Sequence, residues 1–251
     1  MKSYIHKYNV YNEVLKKIPT PQQPPVFKTS GKLNICLIEY RPMNEILYVL
    51  NALLRVYKAC DIGLTIVCGN KNESFVRNCV SSWDNVNIIN TGHDNLNRQT
   101  YSSLLKMPTF WEYFTEWSHV LIYQTDALIM RKIDDVYFQY DYIGAPWDRK
   151  NQWVKHCAGN GGFSLRRVQA MIDACECHRN IPQGKICGSN EDGFFCDLDT
   201  LIFPPINSMM HHAFAVEQVF HPSPIGCHQV YRYLNNTHFK KLLQYIIVKL
   251  C

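Results

Sequence analysis

Asp126 stands two residues beyond the apolar run HVLIYQ at 119–124. A strand buried on both faces fixes its backbone, so a carboxylate on the first turn after it is a rigidly placed oxygen ligand for a hard cation. Aspartate is also common in turns and caps, and alone it leaves both roles open. In GSNEDGFFC, Glu191 and Asp192 are adjacent and precede Phe194 and Phe195, which would anchor the segment in a core. Low dielectric and a like-charged neighbour lift one such carboxyl towards the range of a general base, whereas two acids opening a helix would only complement its dipole. The stretch GNGG at 159–162 has three glycines in four residues ahead of the alternating segment FSLRR. Glycine belongs where backbone takes positive φ or comes close to a ligand, and equally in a tight turn into a strand. The spacing does not match the dinucleotide fingerprint. His228, in FHPSPIGCHQV, follows a turn bounded by proline and glycine and suits either a metal ligand or a structural imidazole.

The elements that must position these groups alternate. LNICLIE at 33–39 reads as a strand, and MNEILYVLNALLRVYKAC repeats apolar residues at helical spacing: Ile46, Leu47, Leu50, Leu53, Leu54 and Tyr57. LTIVC, ESFVRNCVSSW, VNIIN, the helical stretch TYSSLLKMPTFWEYFTEW at 100–117 and HVLIYQ continue the pattern. Such alternation predicts a mainly parallel sheet with right-handed crossovers, and ligands bind such sheets beyond the carboxyl ends of the strands, where Asp126 lies. Residues 1–30 differ: a short helical start, YNEVLKKI, leads into PTPQQPPVFKTSGK, whose prolines disfavour both helix interior and ladder pairing.

A chain of 251 residues, 47% hydrophobic and 19% charged, has the composition of a globular protein with one sizeable core. No run approaches the roughly 18–20 apolar residues of a spanning helix, and the N-terminus lacks a signal-peptide core, which places the protein in the cytoplasm with no transmembrane segment. There the sequons at Asn72 and Asn235 carry no meaning. The 26 basic against 21 acidic residues give +5, enough to favour an anionic ligand but not the basic stripe of a nucleic-acid binder. Eleven cysteines in a chain of this size suit reduced thiols. Structural zinc at Cys175, Cys177, Cys187 and Cys196 is disfavoured, because Cys175 and Cys177 on a helix diverge by about 200° and no Cys-x-x-Cys pair is present.

Taken together and in order, QTD, DYIGAPW, GNGGFSLR, NEDGFF, FAVE and PIGCH resemble a small glycosyltransferase-like family of GT-A architecture, long known as a domain of unknown function. The resemblance spans roughly residues 33–234 and includes EYRP at 39–42. It implies an α/β fold: a single GT-A-like domain over 33–234 with a mainly parallel twisted sheet flanked by helices. An N-terminal arm and Pro-rich linker over 1–32 and a C-terminal helical tail over 235–251 lie outside it.

The activity implied is metal-dependent transfer of a sugar from a nucleotide-diphosphate sugar, a UDP- or GDP-sugar, to a hydroxyl on a glycan or other acceptor, with inversion. Retention stays open, and the alternative is a catalytically inactive nucleotide-sugar-binding protein. Asp126 and His228 would hold a divalent cation, manganese rather than calcium because imidazole suits the softer ion, with magnesium in its place as a variant. The family's Asp-x-Asp motif corresponds here to Gln124-Thr125-Asp126, so the first acid is missing and Gln124 offers a neutral oxygen. Glu39, Tyr40 and Arg41 would meet the donor base, with Arg98 or Lys106 supplying a second positive contact. Gly161 and Gly162 would lie beside the donor sugar, Asp192 would act as base with Glu191 binding sugar, and Trp147 would serve as a sugar platform at the rim.

Overall fold

A computed structural model describes residues 2–148, 154–178, 190–206 and 208–251. Its strands are β1 (Gly31–Ile38), β2 (Gly63–Cys68), β3 (Val86–Asn90), β4 (Trp117–Tyr123), β5 (Ala127–Ile129), β6 (Tyr142–Ala145), β7 (Asn160–Arg167), β8 (Ala215–Val216) and β9 (Gly226–His228). Its α-helices are α1 (Lys2–Leu15), α2 (Glu45–Val56), α3 (Glu73–Cys79), α4 (Arg98–Leu105), α5 (Pro108–Glu112), α6 (Val168–Cys177), α7 (Glu191–Cys196), α8 (Met209–Phe214), α9 (Val230–Tyr233) and α10 (Asn236–Leu250).

The apolar runs assemble a six-stranded sheet in the order β3-β2-β1-β4-β7-β6. The first four strands are parallel, as the βα alternation predicts, and β2 is buried along its whole length because helices cover both faces. β7 runs antiparallel to both β4 and β6, so the sheet is mixed at this side. This reversal carries the site: it brings the glycine-rich start of β7 beside the carboxyl end of β4. Tyr123 pairs with Phe163, and the Gln124 N–H donates to the Gly162 carbonyl at 3.1 Å. A second sheet, β5-β9-β8, sets Ala127 opposite His228.

One apolar layer, including Ile35, Leu50, Leu53 and Ile66, lies under α2 on one face of the sheet. Another, with Trp111, Phe114, Ile122 and Phe195, lies between the other face and α5 to α7. A third joins α1, α9 and α10 to the small sheet through Tyr11, Leu128, Val230 and Ile246. The segment predicted as one helix over 100–117 is divided into α4 and α5. Pro108 cannot continue a helix but starts one well, since its missing N–H falls where no partner exists. The helix expected from YNEVLKKI begins earlier, at Lys2.

The cysteines among the described residues are free thiols, and Cys187 lies outside those residues. Cys175 is buried while Cys177 is exposed on the opposite side of α6. No helix among the described residues is long and apolar enough to cross a membrane.

Candidate active site

At the end of β1, Glu39 is buried and its carboxylate is fully engaged. Oε1 accepts from the backbone N–H groups of Tyr40 and Arg41 and from Arg41 Nε, at 2.8–2.9 Å. Oε2 accepts from Arg41 Nη2 and from Thr125 Oγ1, both at 2.8 Å. Burial alone would raise this carboxyl, but the Arg41 hydrogen bonds outweigh it and hold it below the ordinary carboxylate range. Glu39 therefore positions Arg41 and Thr125. Tyr40 is also buried, its hydroxyl 2.6 Å from Thr91 Oγ1, which leaves the exposed Arg41 guanidinium as the member of this trio that projects outward. Asn72 ties the turn down from beneath, donating to the Glu39 carbonyl at 2.8 Å and accepting from Gly69 N–H at 2.9 Å.

At the end of β4, the pairing of β5 with β9 carries His228 to Asp126. His228 Nε2 lies 3.3 Å from Asp126 Oδ1 and 3.3 Å from Gln124 Oε1. Asp126 Oδ2 accepts from Gln229 Nε2 at 2.7 Å, whereas the buried Oδ1 makes no hydrogen bond. On the other side of the ring, His228 Nδ1 is 3.7 Å from Oε2 of the buried Glu217, and neither atom has a hydrogen-bond partner. Burial opposes a charge on His228, but Asp126 and Glu217 flank it and lift it to about 10. Burial likewise acts to raise Asp126, and the imidazolium overrides it and holds the carboxyl below its usual range. Gln229 adopts a left-handed backbone with φ 45°, a conformation that costs a non-glycine residue free energy and here lets its N–H reach the Asp126 carbonyl at 3.0 Å.

This cluster fits a divalent cation. Among the described residues no three His, Cys, Asp or Glu side chains converge as a self-sufficient metal site. Asp126 Oδ1 and the neutral Gln124 Oε1 nevertheless each lie 3.3 Å from His228 Nε2, so these three atoms are the ones that would hold an ion there. Asp126 Oδ1, which makes no hydrogen bond and is met only by the imidazolium, is the oxygen such an ion would take, with His228 giving up its proton as the ion binds.

The two glycines of β7 are there because other groups press against them. A Cβ on Gly162 would collide with His228 Nε2 and come within 2.6 Å of Gln124 Oε1; one on Gly161 would collide with Glu191 Oε1 and lie 2.7 Å from Arg166 Nη2. Glu191 opens α7, whose Phe194 and Phe195 are buried anchors. Its Oε1 pairs with Arg166 Nη2 at 3.1 Å, and its Oε2 is 3.4 Å from Ser102 Oγ. Arg166 is fully buried, with its guanidinium 4.9 Å from the centre of the Tyr142 ring and 5.3 Å from that of Phe195. Beside this pair, burial and then the Glu191 carboxylate push Asp192 up to about 6. Asp192 Oδ1 accepts from Gly193 N–H at 2.8 Å, and Oδ2 is 3.5 Å from Asn160 Nδ2.

These groups line two adjoining cavities. A strand-end cavity of about 360 Å³ takes in Glu39, Tyr40, Arg41, Arg98, Gln124, Thr125 and Asp126. A carboxylate cavity of about 320 Å³ takes in Gln124, Gly161, Gly162, Glu191, Asp192 and His228. Arg98, Tyr101 and Gln124 border both. Helix α4 supplies the first two one turn apart on one face, and its start is fixed by Asn97, which accepts from Gln99 and Thr100 N–H at 2.9 Å while Thr100 Oγ1 accepts from Asn97 N–H.

Two expected residues stand elsewhere. Trp147 is 6% exposed and packed in the apolar layer under α5 to α7, so it does not offer an open platform; a large ring next to that layer gains more by burial than by exposure. Lys106 lies over the Phe194 ring, 5.8 Å from its centre, and lines neither cavity. Conversely, Asn72, Tyr101, Arg166, Glu217 and Gln229 do not stand out in the sequence as site residues. Arg166 and Glu217 carry a usable signal, an ionisable residue inside an apolar segment. Asn72, Tyr101 and Gln229 carry none, because their roles depend on partners distant in sequence.

The fold is that of GT-A-type glycosyltransferases. The glycosyltransferase GlyE of Streptococcus pneumoniae superposes with a TM-score of 0.51 over 86% of this chain and 60% of its own, at 12% identity. TarS of S. aureus gives 0.48 over 86% and 70% at 10% identity, and the galactosyltransferase LgtC, crystallised with donor and acceptor sugar analogues, gives 0.48 over 64% and 69% at 13%. At these identities the likeness is one of fold alone. No curated protein matches the sequence significantly. A family model described as "Protein of unknown function (DUF5672)" matches residues 85–228, from the start of β3 to His228 and more than half of the chain, and the protein belongs to that family.

Proposed function

We propose that this protein is a glycosyltransferase that moves a sugar from a UDP- or GDP-sugar to a hydroxyl acceptor, with a divalent cation, manganese by preference, held by Asp126 and His228. The observation that carries this reading is the meeting, across two adjoining cavities that share Gln124, of a carboxylate facing an imidazole and of a second carboxyl raised towards neutrality. The chemistry such a cation supplies when bound is neutralisation of the charge that builds on the departing diphosphate. Gln124 stands in for an acid and contributes a neutral oxygen, so affinity for the cation depends on phosphate oxygens of the donor. Arg98 adds positive charge to the strand-end cavity, and Arg41, paired with Glu39, presents its exposed guanidinium there.

In the carboxylate cavity Asp192 takes the proton of the acceptor hydroxyl as that oxygen bonds to the anomeric carbon and the carbon–phosphate oxygen bond breaks. The nucleoside diphosphate departs from the opposite face, and the configuration inverts. Glu191, braced by Arg166, accepts hydrogen bonds from sugar hydroxyls and keeps the Asp192 proton affinity high. Gly161 and Gly162, which let His228, Gln124 and Glu191 close on β7, border the cavity in which the donor sugar would lie.

A panel of nucleotide sugars tested by thermal shift, with manganese or with a chelator, and followed by assay for released nucleoside diphosphate, tests this. A UDP- or GDP-sugar should raise the melting temperature only when the cation is present, through positive coupling of the two ligands. Equal shifts with chelator would remove the cation from the proposal. Donor binding with no nucleotide release against any hydroxyl acceptor or water would favour an inactive nucleotide-sugar binder.

A further inference from the structure

A third cavity, of about 230 Å³, opens on the far side of Asp126, between α1 and α9. Tyr4, Tyr8, Asn12, Glu45, Gln229 and Tyr231 line it. The tyrosines cluster: the Tyr4 and Tyr8 rings stand 5.6 and 5.1 Å from the buried Tyr231 ring, while both retain accessible surface. Glu45 Oε1 gathers the Tyr8 hydroxyl at 3.2 Å and the Asn12 amide at 3.3 Å. Of the two cations at the border only Arg41 has a carboxylate partner, and Arg232 has neutral ones. Arg232 donates to Gln229 Oε1 at 2.9 Å and lies over the Tyr4 ring, and Arg41 is held by Glu39. Such a wall has aromatic faces, planar amides and a carboxylate but no uncommitted pair of cations, which suits a neutral polyhydroxylated ring with an apolar face better than a phosphate.

Position supports the same ligand. Gln229 and Arg232 border both this cavity and the carboxylate cavity that holds Asp192. An acceptor whose reacting hydroxyl is at Asp192 can therefore extend past Arg232 to the tyrosines. We propose that this cavity is an acceptor subsite for the second sugar of an extended glycan acceptor, which rests on the glycosyl-transfer reading above. Helix α1, lying outside the residues that the family model matches, then makes the site selective for acceptors longer than one sugar.

The test uses the full chain with the donor that the nucleotide-sugar panel identifies. Transfer to methyl glycosides of glucose, galactose, N-acetylglucosamine and mannose is compared with transfer to cellobiose, lactose, chitobiose and β-mannobiose. Binding of the same sugars without donor is followed by saturation-transfer NMR. At least one disaccharide should exceed its monosaccharide by tenfold or more in kcat/KM. Tyr8→Ala and, on a residue whose loss leaves the aromatic cluster intact, Asn12→Ala should abolish that preference while donor hydrolysis and nucleotide affinity stay within about twofold; Tyr8→Phe should retain most of it. Turnover without disaccharide preference in wild type overturns the subsite and leaves glycosyl transfer standing. Tyr8-dependent disaccharide binding in a protein that turns over no donor upholds a sugar site and overturns glycosyl transfer. Loss of nucleotide affinity in folded Tyr8→Ala and Asn12→Ala assigns the cavity to the donor and overturns the proposal.

Discussion

His228 and Asp126 face each other at 3.3 Å because β5 and β9 pair with Ala127 opposite His228. Two residues from distant parts of the chain are thus fixed by backbone hydrogen bonds, and their side chains need little ordering when a ligand arrives. Asp126→Asn keeps that shape and removes the charge. It should abolish turnover and the manganese-dependent part of donor binding while the protein stays folded. Full activity in this variant would reduce Asp126 to a turn residue.

Glu217 touches the same imidazole from behind, 3.7 Å from Nδ1. A carboxylate in that place orients a ligating histidine and raises its basicity. Glu217→Gln should weaken manganese affinity, measured by titration calorimetry with the donor present, by roughly 10- to 100-fold. Unchanged metal affinity, with only a lower melting temperature, would make Glu217 a structural partner of His228.

Much of this arrangement is legible in the amino-acid sequence. The parallel strands β1 to β4 follow from continuous apolar runs, and the candidacy of Asp126, Gly161, Gly162, Asp192 and His228 from residue type and place in the chain. Pairing at a distance is what a linear pattern does not carry. Nothing local in GNGGFSLRR says that β7 runs antiparallel to β4, and nothing in EYRP says that the Glu39 carboxylate will be occupied by Arg41 and Thr125. Trp147 shows the same limit from the other side, since a tryptophan that follows Gly-Ala-Pro reads alike as rim or core until its neighbours are known.

Gly162 tests whether the glycines are needed for space. A methyl group there collides with His228 Nε2 and crowds Gln124 Oε1, so Gly162→Ala must displace one of the two proposed ligands. The expected cost in stability is about 1–3 kcal/mol, typical of overpacking, together with loss of cation-dependent donor binding. A variant that binds donor and manganese normally would show that the close approach serves packing only.

Asp192 makes the sharpest prediction, because its charge links activity to stability. Its folded-state pKa, about 6, lies above the ordinary aspartate value, so between about pH 4 and 6 the native protein binds more protons than the unfolded chain. The stability this gives is complete on the acid side and is lost as pH rises through about 6. Asp192→Asn removes the loss, and at pH 8 the variant should be more stable than wild type in urea unfolding by on the order of 1–3 kcal/mol, with no such gain at pH 4. Activity should move the opposite way. Wild-type kcat/KM should rise with pH through about 6 as the base loses its proton, and Asp192→Asn should lower turnover by roughly 10² or more while donor affinity stays within a few fold. Inversion at the anomeric carbon, read by proton NMR of the product, keeps Asp192 in the base role. A stabilised variant that still transfers at near-normal rate, or a product of retained configuration, would take that role away and leave the proton to the departing phosphate.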